Sequence, residues 1–222
     1  MTAAGVHQSA PGAAPAPAAG PGQAALHLVR LYLVSRRAPG ALALLAGFGV
    51  LLWAALFWHW NVAGGAAAAM AIPLTVQAGA AAVIAVTCYG PFGEPERATS
   101  RWLPYLRLGA AVALTAAAVG ALAAGATGGS LPAGDLALLR NVAGITGTGL
   151  LSAAALGGLL AWIGPMAYLV LTESMLAAGR TSPWVWPTLP PHDLGAALCA
   201  AGVFAAGAVL ITVRGPRESA HE

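Results

Sequence analysis

The chain has 222 residues, 59% of them hydrophobic and only 8% charged, and all ten of its Lys-or-Arg positions are arginine. An ordinary soluble domain carries about 25% charge, so a water-soluble globular fold is excluded. The apolar residues fall in blocks of about 20, the length that carries a helix across a hydrocarbon core of roughly 30 Å; together with a mean hydropathy of +0.76, this predicts an all-α integral membrane protein.

Residues 1–23, rich in Ala, Pro and Gly, bury nothing and read as a disordered tail. They lack the basic start, short apolar run and cleavage site of a secretory signal. Residues 24–39 are too short and too charged to span. Gln23, His27, Arg30, Val34 and Arg37 form a narrow stripe at helical spacing, while Leu26, Val29, Leu31, Tyr32 and Leu33 cover the rest. This is the pattern of an interfacial helix lying on the lipid bilayer, with His27, Arg30, Arg36 and Arg37 at the anionic leaflet and Pro39-Gly40 bending the chain into the first span. A ragged cytoplasmic start to that span is the alternative.

Six transmembrane helices follow, at 40–60, 66–90, 108–126, 136–157, 159–176 and 194–213, so that residues 40–213 form one transmembrane domain. Between the fourth and fifth only Gly157-Gly158 and Pro165 interrupt the apolar run, and one long broken hairpin is the other reading there. Arginines flanking short loops stay on the cytoplasmic side. With the amino terminus inside, Arg30, Arg36, Arg37, Arg97, Arg101, Arg107, Arg214 and Arg217 are cytoplasmic, against Arg140 and Arg180 outside. The expectation is a multi-pass cell-membrane protein with both termini cytoplasmic, residues 214–222 forming a short cytoplasmic tail. Trp58, Trp60, Trp184 and Trp186 then belong to the outer aromatic belt and Trp102 to the inner one.

The connection at 91–107 is the chain's densest charged stretch, and it is longer than a turn requires. Pro95 near its start, Glu94 and Glu96 in front and Arg97 and Arg101 behind follow the charge order that complements a helix dipole. It reads as a short cytoplasmic surface helix, the alternative being a solvated loop that carries a topology signal.

Catalytic patterns are missing. A Walker phosphate loop needs a lysine on the phosphates, and the chain has none. No serine-nucleophile elbow, CxxC, HExxH or carboxylate cluster occurs, so neither an enzyme, a metal site nor a cofactor is expected. Cys88 and Cys199 read as small apolar fillers, His59 as an interfacial residue, and no two span histidines could ligate a haem. The polar residues inside spans are Gln77, Asn141, Thr146 and Thr148, each a candidate for a transport pathway and each equally suited to an interhelical hydrogen bond. Glu173 is the one span carboxylate, expected to form an outer-surface ion pair with Arg180. The abundant Ala and Gly permit close helix packing everywhere and single out no interface. Arginine without lysine also resembles the codon bias of GC-rich actinobacteria.

An amphipathic first helix, a hairpin of spans, a charged cytoplasmic segment between spans two and three and the longer outer loop "AGRTSPWVWPTLPPHD" together resemble the membrane subunit of a class-two ABC exporter. The phrases "PFGEPER", "LRNVAGITGTGLL" and "LAWIGPMAYLVL" are similar to small actinobacterial permeases of that kind. The resemblance covers about residues 24–214 and implies a permease subunit without ATPase machinery of its own. It implies a coupling helix at 91–107, where Glu94, Glu96, Arg97 and Arg101 contact a cytoplasmic ABC-type ATPase and Trp102 anchors the helix at the membrane surface. A homo- or hetero-oligomer is expected, and no nucleic acid. Two other classes fit the residues: a noncatalytic membrane scaffold or immunity-type protein, and a small secondary transporter of three-plus-three inverted repeats.

Overall fold

The computed structural model describes residues 38–58, 65–88, 103–129, 131 and 134–214. Among these there is no strand. Six helices follow in order: α1 (Ala38–Phe57), α2 (Gly65–Thr87), α3 (Leu103–Ala126), α4 (Gly134–Leu156), α5 (Ile163–Ala177) and α6 (Leu194–Val213), with 3-10 turns at Gly158–Leu160 and Trp186–Thr188. Among the described residues five stretches are long and apolar enough to cross a membrane: Ala38–Phe57, Pro104–Ala126, Gly134–Leu156, Gly158–Ala177 and Leu194–Val213. α2 carries Pro73 in its interior, which removes one backbone donor. Large apolar side chains such as Val50, Val170, Leu198 and Val209 are exposed around the bundle. Lipid accepts such a surface where water does not, and the chain is a multi-pass helical membrane protein.

The tail at 1–23, the interfacial helix expected at 24–39 and the cytoplasmic tail lie essentially outside the described residues, as does most of the charged connection. The structure does alter the end of that connection. α3 begins at Leu103, with Pro104 in its first turn, where a missing N–H costs nothing. The last five residues assigned to a surface helix are therefore continuous with α3, and Arg107 is buried at its start.

Glycine decides which helices touch most closely. A methyl group on Gly49 would stand 2.5 Å from the Ala121 carbonyl oxygen, one on Gly125 would collide with the carbonyl oxygen of Gly49, and one on Gly128 would lie 2.6 Å from that of Trp53. The paired positions rise together along both helices, so α1 and α3 run parallel with backbones in contact. α4 and α6 repeat the arrangement: a methyl on Gly147 would stand 2.6 Å from Phe204 Cα, one on Gly207 2.6 Å from the Gly147 carbonyl oxygen, and one on Gly144 2.9 Å from Ala200 Cβ. Inside a bilayer there is no hydrophobic drive between helices, and small residues that admit close backbone approach supply the dispersion contacts instead.

α2 packs against both pairs and α5 against α2 and α4. Gly79 of α2 leaves room for the Phe48 ring of α1, and Gly149 of α4 faces Ala81 and Ala85 of α2 and Pro165 of α5. The junction between α4 and α5 is a true break. Gly157 takes φ 94°, ψ 165°, one 3-10 turn follows, and Pro165 sits in the first turn of α5, where it is tolerated. α4 therefore ends at Leu156 and α5 begins as a separate helix at Ile163.

Candidate functional site

α4 is the central helix. In its most apolar stretch 67% of the residues are buried, against 33% or less in the other four long spans. Its amino-terminal half carries Arg140, Asn141, Gly144 and Thr146, and the loop between α5 and α6 folds down onto it.

The loop is shaped by successive tight turns, with Val185 N–H donating to the Ser182 carbonyl at 2.8 Å and Thr188 N–H to the Val185 carbonyl at 3.1 Å. Trp184 stays exposed, as an interfacial tryptophan should, whereas Val185 and Trp186 are fully buried. Trp186 was expected in the outer aromatic belt; instead it fills a slot that Gly144 leaves open, where a methyl group would stand 2.5 Å from the indole ring. Its indole stacks on Tyr168 of α5 with centroids 4.4 Å apart. The Tyr168 hydroxyl donates to the Trp184 carbonyl at 3.1 Å, tying α5 to the same loop.

Arg140 closes the loop from the other side. Its guanidinium is buried, with Nη1 donating to the Pro190 carbonyl at 2.7 Å, Nη2 to the Leu189 carbonyl at 2.9 Å and Nε to Asn141 Oδ1 at 3.4 Å. The fork of donors reads two consecutive carbonyls that Pro190 and Pro191 keep out of any helix. Asp193 begins α6 as its N-cap, accepting from Ala196 N–H at 2.7 Å, and its carboxylate attracts Arg140. One arginine thus joins α4, the loop and the start of α6.

The four span polar residues singled out in the sequence divide accordingly. Asn141 belongs to the Arg140 cluster. Thr148 donates to the Ile145 carbonyl of its own helix at 2.7 Å and is spent there. Gln77 and Thr146 are both buried, and Gln77 Oε1 and Thr146 Oγ1 have no hydrogen-bond partner. Glu173 does not form the expected surface pair: its Oε1 is buried without a partner, while Arg180 is exposed beyond Gly179, whose φ of 62° ends α5. Glu94, Glu96, Arg97, Arg101 and Trp102, and likewise His27, Arg30, Arg36 and Arg37, lie outside the described residues.

Two apolar grooves open on the outside of the bundle. The larger, about 670 Å³, runs between Gly40 and Leu44 of α1 and Val83 and Val86 of α2. The smaller, about 290 Å³, lies over the close pair of α1 and α3 beside Gly49 and Trp53. Neither is lined by the buried polar residues. Among the described residues no group of three or more His, Cys, Asp or Glu could hold a metal ion.

Arg140 and Trp186 are the residues that sequence reasoning missed. Arg140 was counted only as an outer charge near the end of the fourth span, although an arginine six residues inside a helix needs acceptors, and the proline-rich loop held free carbonyls. The one sequence signal for Trp186 was Gly144, whose missing side chain makes room for the indole. No family model, curated protein or solved structure matches the chain.

Proposed function

We propose that the chain is the membrane subunit of an ATP-driven export complex, with six spans, both termini cytoplasmic, and the charged connection between α2 and α3 as its contact with a cytoplasmic ATPase. The observation that carries this reading is the position of α2. It packs against both the α1–α3 pair and the α4–α6 pair, which also meet each other through α3, and its carboxy-terminal end leads directly into the charged connection. Each pair is held by backbone contact, and in this reading a force applied at that connection shifts one pair against the other. A permease without a phosphate loop needs such an input, because its stroke arrives through contact rather than through chemistry of its own.

The test is copurification. Truncating one partner of a buried interfacial charge pair costs about 2–5 kcal/mol. Replacing Glu96 and Arg97 together by Ala is expected to abolish retention of a cytoplasmic ABC-type ATPase on the purified chain, and its stimulation, while membrane insertion persists through Arg101 and Arg107. An unchanged partner and unchanged stimulation would sink the permease reading.

A second reading, a noncatalytic scaffold, draws on the two grooves. Both are lined by Ala, Gly, Leu, Val and similar side chains and lie on the bundle's outer surface, which is how a helix of another membrane protein is received. Crosslinking from Leu44 and Val86 distinguishes the two, since a scaffold yields one defined membrane partner whether or not the Glu96 and Arg97 substitutions are present.

A further inference from the structure

α1 and α2 run antiparallel, and side-chain size sets where they meet. The Phe48 ring of α1 seats against Gly79 of α2 and draws the two helices together. One turn nearer the amino end of α1 and the carboxy end of α2, a groove of about 670 Å³ opens between Gly40, Ala41 and Leu44 on one side and Ala82, Val83 and Val86 on the other. Its space comes from side chains that are short or missing: a methyl group added at Gly40 would meet nothing within 4 Å.

The groove offers no free hydrogen-bonding side chain. Thr87 is the one polar residue lining it, and the hydroxyl donates to the Val83 carbonyl of its own helix at 2.7 Å, the ordinary refuge of a threonine in hydrocarbon. A polar occupant would lose its hydration there without replacement, so the part of a ligand that enters must be hydrocarbon. Charge stands beside the groove. α1 is long and apolar enough to cross the membrane from Ala38 onward, which places this end of the groove at a membrane surface. Arg36 and Arg37 directly precede Ala38 in the sequence, and covalent spacing keeps both of their Cα atoms within about 8 Å of that of Ala38.

We propose that this groove is a binding site for an anionic phospholipid, one acyl chain lying between α1 and α2 and the phosphate pairing with Arg36 and Arg37. Every outward face of the bundle meets lipid. This one joins a hydrocarbon slot to two neighbouring positive charges, the complement of an amphiphile with a negative head. Guanidinium groups suit phosphate through paired N–H donors, and each arginine near an anionic headgroup raises affinity about five-fold. A zwitterionic lipid brings the same chains but carries a cation that offsets the attraction. Along α1 the groove extends only from Gly40 to Leu44, little more than one turn, which gives room for a chain and not for the length of a crossing helix.

The inference is independent of the proposed export function, and its test uses the full-length protein in detergent micelles. Lipid retention is read by native mass spectrometry during titration with phosphatidylglycerol or with phosphatidylcholine of identical acyl chains. The wild-type protein is expected to bind phosphatidylglycerol more tightly. Arg36→Gln combined with Arg37→Gln is expected to weaken phosphatidylglycerol roughly 30-fold and to leave phosphatidylcholine unchanged, whereas Lys at both positions keeps most of the affinity. Arg214→Gln is the control: that arginine is exposed at the end of α6, which packs on α4 and α3, and its loss is expected to change neither lipid. Gly40→Leu, placed where added atoms have room, fills the groove and is expected to weaken both lipids. Equal affinity of the wild-type protein for the two lipids overturns the proposal. So does an Arg214→Gln loss as large as that of the Arg36 and Arg37 variant, the result for charge attraction without a site. Undiminished phosphatidylglycerol binding by Gly40→Leu also overturns it and leaves the groove to a helix of another membrane protein.

Discussion

Arg140 shows how much a single side chain can fix in a bundle with so few polar groups. Its fork satisfies the Leu189 and Pro190 carbonyls together, and hydrogen bonds from a charged donor are each worth about 1.5–3 kcal/mol. Arg140→Ala is expected to reduce stability in detergent by roughly 3 kcal/mol or more, read as a fall in Tm. Arg140→Lys is expected to recover less than half of that loss, because an ammonium cannot span two consecutive carbonyls with planar geometry. Full recovery by lysine would show that charge alone is required. Gly147 is the opposite case, a residue that matters for what it lacks. Gly147→Ala places a methyl 2.6 Å from the Phe204 backbone, where no side-chain rotation relieves it, and overpacking of this kind costs about 1–3 kcal/mol. The same substitution at Gly202, which meets nothing within 4 Å, is expected to leave Tm within a degree or two. At this scale the sequence was least legible. Arg140 and Gly147 are both plain in the chain, but twenty-nine glycines offer no way to tell a backbone contact from a lipid-facing position, and a positive-inside count treats every arginine as a loop charge.

Elements were far easier to read, because a span is specified by a run of apolar residues and needs no partner to be recognised. α6 falls on the expected 194–213, and α1, α2 and α4 depart from expectation by a few residues at their ends. The exception is the start of α3, drawn five residues too late because Arg107 was taken as a boundary. An arginine with its stem along an apolar helix can lie within the first turns. The break after α4 was placed correctly at Gly157-Gly158, and its cause is conformational. With φ 94° and ψ 165°, Gly157 occupies backbone space that side chains with a Cβ rarely adopt, at a cost of order 1–3 kcal/mol. Gly157→Ala is expected to lower Tm accordingly, while Gly158→Ala, at the next residue and in a 3-10 turn, is expected to lower it less. Equal losses would mean that packing, not backbone conformation, selects glycine there. Asp193 gives a gentler check on the start of α6. Removing an N-cap acceptor costs about 0.5–2 kcal/mol, so Asp193→Ala is expected to shift Tm modestly, and Asp193→Asn, which still accepts from Ala196 N–H, to restore most of it.

For the whole molecule, the parallel course of α1 with α3 and of α4 with α6 constrains the topology beyond what hydropathy offers. Under the proposed topology α2 returns between α1 and α3 and α5 between α4 and α6, which is the order that these two parallel pairs require. Extended along the chain, that alternation is the proposed set of six crossings with both ends on one side. The proposed side rests on arginine, eight of ten falling at one set of ends, and the Arg140 clamp clarifies why one of the remaining two does not compete. Arg140 is buried against loop carbonyls and so spends its charge within the fold rather than at a leaflet. The connection of residues 89–102 is therefore expected inside the cell and the loop of residues 178–193 outside. In a background with Cys88 and Cys199 replaced by Ala, a membrane-impermeant thiol reagent applied to intact cells is expected to label Ser182→Cys and to spare Ala98→Cys until the membrane is opened. Labelling of Ala98→Cys with protection of Ser182→Cys would invert the topology and move the charged connection away from any cytoplasmic ATPase. Labelling of both would mean that α2 fails to cross and that α1 and α3 pair in parallel for a reason other than alternation.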